Sequence, residues 1–464
     1  MGSVKINIPC LDPPKQDQQD SSSKTTKETK KIIDKKQQSV KNGGVFVGFK
    51  RLIQGIKKFA KEDKNRMIIF SLKVGFAILL ASLLILVQSP YKVFGNDVIW
   101  SVITVASMFE YTVGDTLNKG VSRVLGSLLA GILAVAIDQA ALHSGPVAEP
   151  YIIAVCLFFF GALITSVVKL RPSMEPYADG FRTILLTFCV LVVSGYRVGH
   201  PVKNAVSRLY LIALGGLVAA FVNVLIFPTW AGEELHKNLV DDFESVADSL
   251  EECVKKYLED DASDQPEFSK TVLDEFPDEP AYQKCRSALD SSKKLETLAN
   301  LAKWEPPHGR FRHFRYPWAE YVKVGTVLRY CAYEVKALHG VLHSEIQPPH
   351  DLPTAFQSEI RKASHQAAEL IRCLGKDIKD LKHTPQTALQ ENLHTSTEHL
   401  RHTTFTSSSD SSTASSLATF TSSESTAALS LATFTSLLIE FFSRLDHLAE
   451  AVDELAKRAK FKPC

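Results

Sequence analysis

The chain of 464 residues carries 53 Lys/Arg against 51 Asp/Glu, a formal net charge of +2; that balance lacks the basic excess of a nucleic-acid binder and names no partner by itself. Eight scattered cysteines without a CxxC pair exclude a disulfide framework. Mean hydropathy near zero averages an apolar first half with a polar second half, so local windows decide the class.

Residues 1–45 are polar and rich in Lys, Gln and Ser, the composition of a disordered arm. Met1-Gly2-Ser3 opens like a myristoylation signal, but Ile6 stands where Ser or Thr is needed, so the signal fails. No cleavable leader is expected, because the first apolar run starts behind a long Lys-rich lead. Residues 46–66 read as a basic amphipathic helix, with Phe49, Leu52, Ile53, Ile56 and Phe59 at helical spacing between Lys50, Arg51, Lys57 and Lys58. Such a helix beside a first span lies on membrane lipids.

Six apolar stretches follow, at 67–87, 98–113, 121–137, 151–168, 181–194 and 205–227. A membrane span needs about 20 mostly apolar residues. The second, third and fifth stretches are short or polar, as helices packed against protein or water can be. The first 66 residues hold sixteen Lys/Arg against seven Asp/Glu. Lys119 and Arg123 follow the second stretch, Lys169, Arg171 and Arg182 the fourth, and residues 138–150 contain no Lys or Arg. The positive-inside rule then puts both termini in the cytosol. Arg197, Lys203 and Arg208 fall on the outer side against that rule, and basic residues at both mouths mark a path for anions.

Stretches three and six carry small residues four apart, Ser122, Gly126, Ala130 and Ala134 in one and Gly216 and Ala220 in the other. They let helices approach closely, within one subunit or across a dimer seam. Ser101, Thr104 and Ser107 form a hydroxyl stripe that either lines a wet path or bonds to neighbouring helices. Lys73 and Glu110 sit at similar depth, so an ion pair between them is available; it offsets a cost of about 2.5–3.5 kcal/mol for a lone charge in the bilayer.

After Phe227-Pro228 the pattern becomes that of a soluble helical domain, with helices predicted at 235–258, 282–302, 321–346 and 355–381. Residues 395–430 are Ser/Thr-rich and poor in bulky apolar groups, so they are expected to be disordered. Residues 431–461 read as a last amphipathic helix. No strand pattern stands out. The predicted fold is all-α: arm 1–45, amphipathic helix 46–66, six-span transmembrane domain 67–228, cytosolic helical domain 229–394, Ser/Thr-rich segment 395–430 and C-terminal helix 431–464. No Walker A, GxGxxG or HExxH run is present, so neither an enzyme nor a cofactor is expected. His339 and His343 have the spacing of zinc ligands but no evident Cys or Asp partner, so no metal site is expected.

Three runs carry a resemblance. Phe109-Glu110-Tyr111-Thr112-Val113-Gly114 continues through Thr116-Leu117-Asn118-Lys119-Gly120 to Arg123. Phe227-Pro228-Thr229-Trp230-Ala231-Gly232-Glu233-Glu234-Leu235-His236 leaves the last apolar stretch, and Trp304-Glu305-Pro306-Pro307-His308-Gly309-Arg310 follows in the polar half. In order and spacing they resemble the signatures of plant aluminium-activated malate transporters over roughly residues 50–380. The resemblance implies a dimeric anion channel for malate and other small anions. It also implies gating or pore-adjacent roles for Lys73, Trp100 and Glu110, and an anion pathway at Arg123, Arg182, Arg197 and Arg208. Arg171-Pro172-Ser173-Met174-Glu175-Pro176 lacks the extra basic residues common there in the family, so selectivity can differ. Aluminium activation is not implied, since the outer loops hold no cluster of carboxylates. A coupled organic-acid carrier and a membrane-anchored scaffold are the competing readings; charges at both mouths favour transport over a scaffold.

Overall fold

The computed structural model describes residues 63–86, 98–145, 147–171, 178–198, 201–258, 280–312, 316–342, 354–410 and 422–463. The expected arm and most of the amphipathic helix lie outside them. Residues 1–72 and 73–464 form two units. The described part of the first is the opening of α1 (Asp63–Leu86), where Ser71 Oγ donates to Met67 O at 3.0 Å.

In the second unit α1 continues from Lys73. There follow α2 (Ile99–Met108), α3 (Val113–His143), α4 (Glu149–Leu170), α5 (Ala178–Val198) and α6 (Pro201–Leu225). Among the described residues four helices are long and apolar enough to cross a membrane, α1, α3, α4 and α6, while α2 and α5 offer shorter apolar runs, Ile99–Met108 and Gly180–Tyr196. The chain is thus an integral membrane protein. The second predicted span ends early, because the chain is extended at Phe109 (ψ 115°) and again at Thr112, where a new helix starts. Thr112 caps that helix by accepting from Asp115 N at 3.2 Å, and Asp115 adds a negative charge to the first turn.

The small face of α3 packs inside one chain. On α3, Gly126, Ala130 and Ala134 are buried and share a core with Phe188, Leu191 and Val192 of α5. A Cβ on Gly126 would meet Ile184 Cγ1 at 3.0 Å. On α6, a Cβ at Gly215 would come within 2.5 Å of Ser101 O, so only glycine allows α2 this close. The hydroxyl stripe of α2 serves that contact. Ser101 and Thr104 are fully buried, Thr104 Oγ1 donates to Trp100 O at 2.7 Å and Ser107 Oγ to Thr104 O at 3.2 Å. In α4, by contrast, Ile153 is the one buried residue, and Phe158, Phe159 and Leu163 are 60–71% exposed.

The polar half folds as a helical bundle: α7 (Ala231–Leu258), α8 (Pro280–Ala302), α9 (Trp318–Leu342), α10 (Thr354–Asp380), α11 (Thr387–Asp410) and α12 (Ser422–Ala459). Leu235, Leu239, Phe243, Val246, Leu250 and Val254, the predicted stripe of α7, are all buried. Gly375 of α10 seats on Phe243, where a Cβ would lie 2.9 Å from the Phe243 Cβ. α12 buries Phe434, Leu438, Phe441, Leu445 and Leu448, and Phe434 stacks on Tyr257 at 3.7 Å.

Two expectations change. The Ser/Thr-rich segment enters helix on both sides, α11 to Asp410 and α12 from Ser422, with residues 411–421 outside the described ones. Tertiary burial overrides composition there: Leu393 and Leu400 pack into the core, and Ser396 Oγ donates to Gln366 Oε1 at 2.8 Å. Two short parallel strands also form, β1 (Lys382–His383) and β2 (Lys462–Pro463); they tie the end of α12 to the end of α10, too briefly to leave a periodic pattern.

Candidate functional site

The predicted residues fall into separate groups. Trp100 and Arg208 come together where α2 packs on α6. The guanidinium carbon lies 4.1 Å from the indole centroid, and Arg208 is only 6% exposed. Such a cation–π contact steadies a charge in an apolar setting, and the planar fork of arginine matches a carboxylate. Arg123 is half-buried on α3, and its Nε has no hydrogen-bond partner among the described residues. Arg182 is exposed on α5, on a groove shared with Lys169 of α4. Arg197 lies in the last turn of α5, and its side chain is outside the described residues. Arg123, Arg182 and Arg208 thus stand on three different helices, α3, α5 and α6.

The expected Lys73–Glu110 ion pair does not form. Lys73, 3% exposed, donates to Asn223 Oδ1 at 2.6 Å and to Phe227 O at 3.3 Å. The Glu110 carboxylate pairs with Lys119 instead. The reason is the turn at residues 109–112, which folds Glu110 back towards the first turns of α3. Asn223, fully buried on α6, occupies the space between. Its Nδ2 donates to Thr116 Oγ1 at 2.8 Å, Glu110 O at 3.1 Å and Thr112 O at 3.3 Å. One amide thereby joins α1, α6 and the α2–α3 turn. A polar residue within an apolar helix is the signal that marks such a position in a sequence.

Beside this hub the three sequence runs meet. Val113 N donates to Thr229 O at 2.9 Å. The Glu305 carboxylate accepts from Ala231 N at 2.6 Å, Gly232 N at 3.1 Å and Gly114 N at 3.2 Å. It thus caps the first turns of α3 and α7 together, where helix dipoles favour a negative charge. Burial pushes its carboxyl above the ordinary value, against the pull of those N–H donors and of His308. His308 stacks on Trp230 at 3.8 Å with an 11° interplanar angle. Two glycines permit the closeness: a Cβ at Gly114 would meet Leu301 O at 2.4 Å, and one at Gly232 the Trp318 ring at 2.5 Å. Behind the joint, burial lowers the His236 pKa to about 4, so the ring is neutral where its Nδ1 meets Tyr321 OH at 3.2 Å. Above it, Phe227 takes a left-handed φ of 46°, uncommon for a bulky residue, and its carbonyl is the one held by Lys73. Sequence reasoning quoted Glu305 within a motif without giving it a role, and passed over Asn223.

His339 is buried and His343 lies outside the described residues. Among those residues, no group of three or more His, Cys, Asp and Glu is placed to hold a metal.

A family model described as aluminium activated malate transporter matches residues 57–413 and 403–456. Aluminum-activated malate transporter 14 of Arabidopsis thaliana is 36% identical over 351 residues, 76% of this chain and 63% of that protein. Aluminum-activated malate transporter 2 of the same plant is 32% identical over 426 residues, 89% of this chain and 79% of its own length. The relative of that name numbered 1 in Triticum aestivum is 32% identical over 424 residues, 89% of this chain and 86% of its own. A further Arabidopsis relative reaches 41% identity over 337 residues, and the chain spans about three fifths of the length of the first relatives it matches. With its three signature runs folded into a single joint, the chain belongs to the aluminium-activated malate transporter family.

Proposed function

We propose that the chain passes small anions, malate among them, across a membrane as a homodimeric channel of six-span subunits with both termini cytosolic. The observation that carries this reading is the buried guanidinium of Arg208 stacked on Trp100. A fixed cation in low dielectric replaces part of the hydration that a carboxylate loses on entry, and a single fork holds it weakly enough to let it go. Arg123, half-buried with an unsatisfied Nε, is the second cation of the route. Arg197, at the end of α5, is assigned to its far mouth. The Lys73–Asn223 hub and the Glu110–Lys119 pair brace the helix ends at the joint, where Glu305 links the spans to the bundle; movement there is how the bundle would gate the path. The names of the relatives support malate as the anion, and the family is one of transporters, which agrees with a non-enzymatic role.

The test is current in a cell lacking anion conductances. The reversal potential should track the malate gradient, and Arg208→Ala should lower conductance at unchanged surface amount. A reversal potential that follows K⁺ or Na⁺ sinks the reading. A strict dependence of flux on a co-transported ion, with no unitary current, would replace the channel by a carrier.

A further inference from the structure

The groove between α4 and α5 lies apart from Arg208 and from the joint. It has a volume of about 450 Å³ and is lined by Thr165, Val168 and Lys169 from one helix and Phe181, Arg182 and Leu185 from the other, among others. Lys169 is in the last turn of α4 and Arg182 in the second turn of α5; the segment between them is short, so both cations stand at the same end of the two spans. Ile164 and Leu185 lie about a turn deeper, and among the described residues no carboxylate lines the groove. Of the four long apolar helices among the described residues, α4 is the least buried, with Phe158, Phe159 and Leu163 outward.

We propose that this groove is a binding site for an anionic glycerophospholipid. Its phosphate meets Lys169 and Arg182, the Thr165 hydroxyl donates to the phosphate or glycerol oxygens, and an acyl chain lies along Val168, Ile164 and Leu185. Charge complementarity selects the sign of the headgroup. The apolar wall selects a lipid over a free anion, because two exposed cations hold a soluble anion poorly, whereas a lipid arrives already confined to the surface and covers the wall as well. Each Lys or Arg near an anionic membrane surface contributes about 1 kcal/mol, so two discriminate phosphatidylglycerol from phosphatidylcholine by roughly tenfold or more. A basic pocket between spans is a recurrent place for anionic headgroups.

The experiment is independent of transport. The full chain, purified in detergent and stripped of lipid, is titrated with phosphatidylglycerol and with phosphatidylcholine of the same acyl chains, and bound copies are counted by native mass spectrometry. The expected result is tighter retention of phosphatidylglycerol, reduced about tenfold in Lys169→Gln with Arg182→Gln. Lys255→Gln with Lys256→Gln, which removes two exposed charges from α7, should change nothing. Equal loss in that control, or no headgroup preference in the unaltered chain, overturns the proposal. Displacement of the lipid by equimolar glycerol 3-phosphate would make the groove a free-anion site. Disulfide-linked dimers of Thr165→Cys that exclude the lipid would assign it to a second copy of the chain.

Discussion

At Asn223 both ends of one side-chain amide are in use, the oxygen on Lys73 and the nitrogen on three oxygens of the α2–α3 turn and α3. Removing one partner of a buried polar pair leaves the other unsatisfied, at a cost of about 1–3 kcal/mol and more for a charge. Asn223→Leu should therefore destabilise the protein and impair the current, and Lys73→Met on top of it should recover part of the loss. A cycle of Lys73→Met with Glu110→Gln should instead be nearly additive in stability, because the Glu110 carboxylate belongs to Lys119. Coupling of roughly 0.5–3 kcal/mol is expected in the cycles Lys73 with Asn223 and Glu110 with Lys119. Thermal unfolding of the purified single and double variants checks both. Strong Lys73–Glu110 coupling beside additive Lys73–Asn223 changes would show the hub to be wired otherwise. Depth along the spans made Lys73 and Glu110 look like partners; depth ignores azimuth, and the turn at residues 109–112 decides azimuth.

At the scale of elements, Glu305 holds α3 and α7 by their first turns, an arrangement in which one side chain replaces the orphan donors of two helices. Glu305→Ala should free the amides of Gly114, Ala231 and Gly232 and raise their hydrogen exchange well above that of the rest of α7. Glu305→Gln keeps one carbonyl oxygen as acceptor and should show a smaller rise. Unchanged exchange at all three amides in the Ala variant would mean that the joint does not depend on the carboxylate. The helices that meet here were legible in sequence to different degrees. The stripes of α7 and α12 were plain because each buries one face in a thick core, as periodicity requires. α2 was read too long because Phe109, Tyr111 and Val113 extend the bulky run past Met108; the extended backbone that stops it carries no compositional mark. α11 was missed because widely spaced Leu393 and Leu400 supply its burial in a run otherwise rich in hydroxyls. The joint itself was visible only as motifs, since no local rule states that a carboxylate near residue 305 will cap helices begun at residues 113 and 231.

Across the whole molecule, the near-zero mean hydropathy conceals two opposite surfaces. The spans turn Phe158, Phe159, Leu217 and Phe221 outward, whereas the bundle buries most of its large apolar groups and leaves Trp304, Tyr330 and Tyr333 partly exposed. The bundle's own core runs through α7–α12, so a fragment of residues 229–463 is expected to fold as a soluble, cooperatively unfolding helical domain. Its stability should come from packing more than from surface pairs. Leu445→Ala, at a fully buried site on α12, should cost about 2–5 kcal/mol, against about 0–1 for Arg401→Gln, which loses an exposed pair to Glu398. The fragment should also show one pH signature. Asp242 is buried on α7, and burial raises its carboxyl to about 6, with the Ser291 hydroxyl and Lys294 pulling it down. The folded state thus binds that proton more tightly than the unfolded chain. The associated stability is fully present below the ordinary carboxylate value and is lost as pH rises from about 4 to about 6. Above that range the ionised group is a burden on the order of 3 kcal/mol. Asp242→Asn should therefore raise Tm at pH 7.5 and flatten the slope between pH 4 and 6. A fragment that aggregates without a cooperative transition would show that the bundle needs the spans to fold, and a Tm lowered by Asp242→Asn at pH 7.5 would show that the carboxylate is stabilised in the fold.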